Sequence, residues 1–236
     1  MRLRKIALLT CLAVAALAAV PPQQALARDR QPGIDASEYQ GNVDWQRVAD
    51  SGITFVIHRA TKGNDYIDPT YPGNKAEAEA AGIRFTAYHY AKPSGREDDA
   101  RREAELFLAN AHLGTGNLIP ALDLEQAGGM NPTKLKAWVG IWLRRVTDEL
   151  GVKPIIYTSP SFWRSFMNDT RRFARHGHKL WIANWFVRHP DVPAKDWAGH
   201  GWTFWQYSNS GHVPGINGRV DLDRYNGRTF AKVRIP

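Results

Sequence analysis

From residue 33 onward the chain alternates short apolar runs with amphipathic stretches. Apolar runs at 33–36, 55–60, 83–90, 118–124, 154–158, 180–184, 203–207 and 219–222 have the length of strands. Helical spacing recurs between them at 44–49, 74–81, 97–111 and 133–150, the last with Leu135, Trp138, Val139, Trp142 and Val146 on one stripe. Such alternation predicts parallel strands joined by helices, hence an α/β fold. After Thr158 the helical signal thins to a short segment at 161–167. The pattern therefore predicts a single irregular, TIM-like (β/α) barrel of about eight strands with fewer helices in its C-terminal part. No repeat, low-complexity tract or long linker divides it.

The N-terminal pattern differs. Basic residues in Met1-Arg2-Leu3-Arg4-Lys5 precede an uncharged apolar stretch at 6–20 and then Ala25-Leu26-Ala27. This reads as a secretory signal over 1–27, because the apolar part is too short to span a bilayer. Cys11, the only cysteine, lies inside it. The remainder, 28–236, then offers no disulfide, thiolate metal site or cysteine nucleophile, and secretion without disulfides suggests a bacterial extracytoplasmic protein, periplasmic or extracellular.

Composition adds a core and a charge. The 236 residues are 43% hydrophobic with 9 Trp, ample for a packed interior. Without Arg2, Arg4 and Lys5, 28 basic residues face 23 acidic ones, a net charge of +5 that favours an anionic polymer without naming one. The basic cluster around Arg171-Arg172 and Arg175 to Lys179 reads as solvated surface, with no nucleic-acid motif beside it. His176 and His178 lack further ligands in the pattern, so no metal and no cofactor is expected. The phosphate-binding G-x-x-x-x-G-K-[ST], the zinc-binding H-E-x-x-H and the hydrolase G-x-S-x-G are absent.

The most informative segment is Leu118-Ile-Pro-Ala-Leu-Asp-Leu-Glu125. On a strand, Asp123 and Glu125 project to one side and Leu122 and Leu124 to the other, the acids' Cα atoms roughly 7 Å apart. Repulsion and partial desolvation hold a proton on such a pair near neutral pH, giving a general acid beside an anion. Barrel chemistry gathers at the C-terminal strand ends. There stand Asp35, the pair Asp123 and Glu125, and Asp221, among Tyr88, His89, Tyr90, Tyr157, Trp181, Asn184, Trp205 and Gln206. Carboxylates ringed by aromatics suit a sugar.

These residues carry a resemblance. Gly33-Ile34-Asp35-Ala36-Ser37, Gly41-Asn42-Val43-Asp44-Trp45, Arg59-Ala60-Thr61-Lys62-Gly63, Asp68-Pro69, Ala87-Tyr88-His89, Leu122-Asp123-Leu124-Glu125, Ile156-Tyr157, Trp181-Ile182-Ala183, Trp205-Gln206-Tyr207 and Val220-Asp221 resemble, in order, the family 25 glycoside hydrolases, the Chalaropsis-type lysozymes. The resemblance implies a flattened, incomplete α/β barrel and hydrolysis of the β-1,4 bond between N-acetylmuramic acid and N-acetylglucosamine in peptidoglycan. It maps the four catalytic acids onto Asp35, Asp123, Glu125 and Asp221. Tyr39 and His58 depart from the usual pattern and are candidates to alter substrate contacts. Asp223 would face the same way as Asp221, and the motif favours Asp221.

The chemistry that follows makes Glu125 the general acid and gives Asp123 the task of orienting the substrate's own 2-acetamido group, with retention of configuration. Asp35 and Asp221 would balance charge, and Tyr88, Tyr157, Trp181, Asn184 and Gln206 would contact the sugar. A monomer acting on peptidoglycan strands is expected, with no nucleic acid and, after signal cleavage, no membrane. A chitinase-like N-acetylhexosaminidase and a non-catalytic wall-glycan binder remain as alternatives.

Overall fold

The structure, a computed structural model, describes residues 30–236, so the expected signal segment and Cys11 lie outside the described residues. Nine strands form one sheet: β1 (Gln31–Ala36), β2 (Phe55–Lys62), β3 (Tyr66–Ile67), β4 (Arg84–Tyr90), β5 (Ala121–Asp123), β6 (Ile155–Thr158), β7 (Leu180–Ala183), β8 (Phe204–Gly211) and β9 (Val220–Tyr225). Their order is β1-β9-β8-β7-β6-β5-β4-β2-β3, and pairing of β1 with β2 closes the barrel while β3 hangs on β2 alone. Every barrel strand lies on a segment expected from the sequence.

One expectation is corrected. β9 runs antiparallel to both neighbours, β8 and β1, whereas the other barrel pairs are parallel. The connection at 212–219 is too short for the parallel crossover, which needs about a dozen residues or more. The first residues of β9, not its last, therefore lie beside the C-terminal ends of the other barrel strands. β5 is also shorter than the apolar run at 118–124. Pro120 has no N–H; before it Leu118 N–H still donates to Phe85 O at 2.9 Å, but Ile119 N–H turns away to Val233 O at 2.9 Å and Leu118 bridges Arg234, so this stretch also holds the C-terminal segment.

The helices are α1 (Trp45–Asp50), α2 (Tyr71–Ala80), α3 (Asp99–Ala111), α4 (Pro132–Leu150), α5 (Pro160–Met167), the four-residue α6 (Arg172–Arg175) and a turn, α7 (Pro193–Gly199). α4 starts where Asn131 accepts from Lys134 N–H at 3.0 Å and Pro132 takes the first turn; it stops at Gly151, whose φ of 67° suits glycine. The stripe read from the sequence is its buried face, Trp142 lying 5.5 Å from Phe107 of α3. No helix among the described residues is long and apolar enough to cross a membrane.

Strand alternation divides the core. Val56, Ala60, Phe85, Leu122, Ile156 and Ile182 face outward to the helices, while Phe55, Ile57, Ala121, Ile155, Trp181, Phe204 and Tyr225 fill the barrel. His58 and His89 belong to the outer layer. His58 Nδ1 meets Arg59 O and its Nε2 meets Asn74 Nδ2, both at 2.9 Å, and Asn74 Oδ1 accepts from Trp45 Nε1 at 3.0 Å. Fully buried and satisfied in this outer layer, His58 has no exposed surface to offer a ligand directly. Burial lowers its pKa to about 4. His89 is likewise buried, with Nε2 2.7 Å from Glu103 and Nδ1 2.8 Å from Thr61.

Candidate active site

Above its apolar filling the barrel interior turns polar. Asp35 ends β1 directly across from Asp221 at the start of β9, a juxtaposition that the reversed strand creates. Asp123 ends β5 on the inner face, and Glu125 stands past the strand at the solvent-facing mouth. Leu124 between them is fully buried among the outer hydrophobics, so the two acids share one side as the alternation requires.

Gln206 ties the acids together. Its Nε2 donates to Asp35 Oδ2 at 2.8 Å and to Asp221 Oδ2 at 3.1 Å, while its Oε1 accepts from the Tyr157 hydroxyl at 3.0 Å and from Trp185 Nε1 at 2.8 Å. Donors and acceptors agree with only one orientation of the amide. One layer deeper, Asp223 Oδ1 accepts from Trp181 Nε1 at 2.7 Å.

So many carboxyl groups cannot all ionise. Burial, then the neighbouring Asp223 and Asp221, holds Asp35 well above the usual carboxylate range. Burial and the charge of Glu125 do the same to Asp123, against the opposing Arg59 guanidinium. Glu125 is raised by its partial burial, against hydrogen bonds from Tyr157 and Tyr90 that favour the anion. Burial and Glu125 bring Asp221 to about 6, and burial brings Asp223 to about 7.

The structure thus brings together Asp35, Asp123, Glu125, Asp221, Tyr88, Tyr157 and Gln206. Trp181 is placed beneath them, 1% exposed and 4.4 Å from the Tyr157 ring, where it presents no face to a sugar. Asn184 lies on a neighbouring groove, its Oδ1 accepting from Asp191 N–H at 2.8 Å. That groove, about 710 Å³, runs from Tyr90 and Glu125 past Ser161 and Phe166 to Trp185 and Phe186.

Two features received no role in the sequence reading. Arg59, inward on β2, is gripped by Asp68 at 3.0 Å and Glu38 at 2.9 Å and lies against the rings of Tyr39 and Tyr66; Glu38 also holds the Tyr66 hydroxyl. The signal was an arginine at inward parity in an apolar strand. Exposed Phe166, Trp185 and Phe186 form the far wall of the groove, and the Trp-Phe pair just after the β7 segment was its trace. Among the described residues no cluster of three or more His, Cys, Asp or Glu is arranged to hold a metal.

A closed barrel with coupled carboxyl groups and aromatic walls at the C-terminal strand ends is the architecture of a glycoside hydrolase. The family model described as Glycosyl hydrolases family 25 matches residues 34–216, and the chain belongs to that family. It is 35% identical to the uncharacterised Escherichia coli protein YegX over 204 residues, 83% of this chain and 69% of YegX. Lysozyme M1 of Streptomyces globisporus is 32% identical, over 83% of this chain and 67% of its own. The crystal structure of the bacterial lysozyme from Streptomyces coelicolor superposes with a TM-score of 0.77 at 32% identity, covering 83% of this chain and 92% of that one.

Proposed function

We propose that the protein is a muramidase that cleaves the β-1,4 bond between N-acetylmuramic acid and N-acetylglucosamine in peptidoglycan, with retention of configuration. The observation that carries this reading is the Asp123–Glu125 pair, facing one way at the mouth beside an aromatic-walled groove of about 710 Å³. Burial raises both carboxyls and the charge of Glu125 raises Asp123 further, so the pair retains a proton in the free enzyme. A substrate amide N–H donating to Asp123, with Arg59 nearby, stabilises the Asp123 anion and leaves the proton on Glu125.

Glu125 then protonates the glycosidic oxygen as the C1–O bond breaks, and the acetamido carbonyl oxygen closes onto C1. Asp123 steadies the N–H of the resulting cyclic cation. Water next attacks C1 and gives its proton to the Glu125 carboxylate, restoring the acid. Asp35 and Asp221, bridged by Gln206, hold the charge balance, and Tyr88 and Tyr157 bound the sugar site. We read the chain as a secreted, monomeric enzyme with its catalytic domain at 28–236 after a signal at 1–27, because the basic, apolar and A-x-A segments fall in signal order.

Mass spectrometry of fragments from purified peptidoglycan identifies the new reducing sugar, expected to be N-acetylmuramic acid. Proton NMR at early times should show the β-anomer. Glu125→Gln should remove nearly all turnover while keeping the fold. Reducing N-acetylglucosamine ends, an inverted anomer, or comparable lysis by the variant would each overturn the corresponding part.

A further inference from the structure

Asp223 is the one acid of this cluster that the proposed reaction leaves without a task, and it is the most deeply buried, at 0% exposure against 8% for Asp35. On β9 it stands across from Gly33, two positions below the Asp35–Asp221 pair and on the same face, which makes it the diagonal neighbour of Asp35. Trp181 satisfies its Oδ1. Its Oδ2 finds no donor among the described residues, although the atom is fully buried. The nearest carboxyl on that face by strand register is Asp35, and each of the two acts on the other's titration.

Two ionised carboxylates in contact repel, and a buried acceptor without a donor is costly. A single proton between them removes both penalties, turning the contact into a strong O–H···O bond. We propose that Asp223 is a positioning residue of the glycosidase reaction, which holds Asp35 in place through one proton shared between the two carboxyl groups. The role rests on the muramidase reading; the shared proton does not.

The groups facing this pair are Asp221 on β9, Asp123 on β5 with Glu125 beyond it, Arg59 on β2, Tyr88 on β4, Tyr157 on β6 and the neutral Gln206 and Trp181. Arg59 is the cation among them, and burial keeps both tyrosines protonated. With the proton shared, the pair's single negative charge sits low, against the Trp181 N–H. Asp35 then meets the sugar as a neutral group fixed from below by Asp223 and from the side by Gln206. Asp223→Asn preserves the shape, since the amide accepts from Trp181 and donates to Asp35. It moves the anion up onto Asp35, closer to Asp221, Asp123 and Glu125, and an added anion raises the pKa of each.

The test uses the protein with carbon-13 at its aspartate carboxyls, followed by NMR against pH, together with the pH–rate profile on peptidoglycan. In the wild type, Asp35 and Asp223 should titrate together in two linked steps. In Asp223→Asn, Asp35 should titrate alone, at least about one pH unit lower, and the activity optimum should move up by roughly half a unit. An Asp35 titration untouched by the substitution overturns the proposal, as does a slower enzyme whose optimum has not moved. Asp35→Asn gives the reciprocal check, since Asp223 must then collapse to one lower step. A wild type that cuts no peptidoglycan sinks the muramidase reading while the carboxyl titrations still decide the shared proton.

Discussion

Trp185 donates its indole N–H to Oε1 of Gln206 at 2.8 Å, and this bond decides which end of the amide faces the acids. With Oε1 occupied by Trp185 and Tyr157, Nε2 is left for Asp35 and Asp221. Trp185→Phe keeps the ring and loses the donor. One such bond is worth about 1.4 kcal/mol, so kcat on peptidoglycan should fall about tenfold with little change in the thermal midpoint. An unchanged kcat would show that Tyr157 alone orients the amide.

The pH–rate profile follows from the same carboxyls. The proposed reaction requires Glu125 to keep its proton and Asp123 to lose one, which predicts that activity falls on both sides of an optimum. Asp221, at about 6, becomes an anion as pH rises and helps Glu125 retain its proton. Asp221→Asn removes that charge, and the alkaline limb of kcat/KM should move down by roughly half to one pH unit. A limb that stays put or moves up contradicts this coupling.

His58 leaves its mark on stability in acid. Its ordinary pKa is 6.5 and burial lowers it to about 4, so the folded state binds the proton more weakly than the unfolded chain. Its contribution is whole above about 6.5 and is lost as pH falls toward 4. The raised carboxyls have the opposite sign, favouring the folded state when protonated, so the wild-type slope is a sum of both. His58→Gln isolates the histidine. Urea unfolding of the two proteins should differ in pH dependence between these limits and run parallel above them.

Phe186 is 81% exposed and holds a φ of 58°, a left-handed backbone that bulky side chains avoid. Nothing in the fold repays an exposed phenylalanine there, whereas the groove beside Glu125 gains a wall from it. Phe186→Gly relieves the backbone and should be neutral or stabilising by up to about 1 kcal/mol, net of the extra freedom of the unfolded chain. The same change should raise KM for polymeric wall several-fold with kcat nearly constant. A KM that does not move would detach the ring from substrate binding.

Much of this site was legible because strand parity is a strict rule. Once Leu122-Asp123-Leu124-Glu125 is placed on a strand end, the shared face of the acids follows, and the barrel supplies the remaining carboxyls at its mouth. Where the reading stopped, long-range facts took over. The sequence reading ended the seventh strand at 207 and so left room for a crossover; that β8 runs on to Gly211, β9 turns back and Asp221 faces Asp35 emerges only when the barrel closes. Trp181 reads as a sugar platform until its indole is found committed to Asp223. His58 reads as a departure near the site until Asn74, sixteen positions away, is seen to satisfy it. Asp221 and Asp223 share a face in any strand, and depth alone separates the half-open one from the sealed one.

Because β9 closes the barrel against β1, the bond from Gln206 to Asp35 bridges 171 positions, and Asp221 arrives later still. Loop closures of that span come late in folding. A chain halted before its final strand has only part of its acids and an open seam where the sugar would lie. The complete set of acids therefore exists only once the last strand has docked, and a partly folded chain lacks the arrangement that would cut.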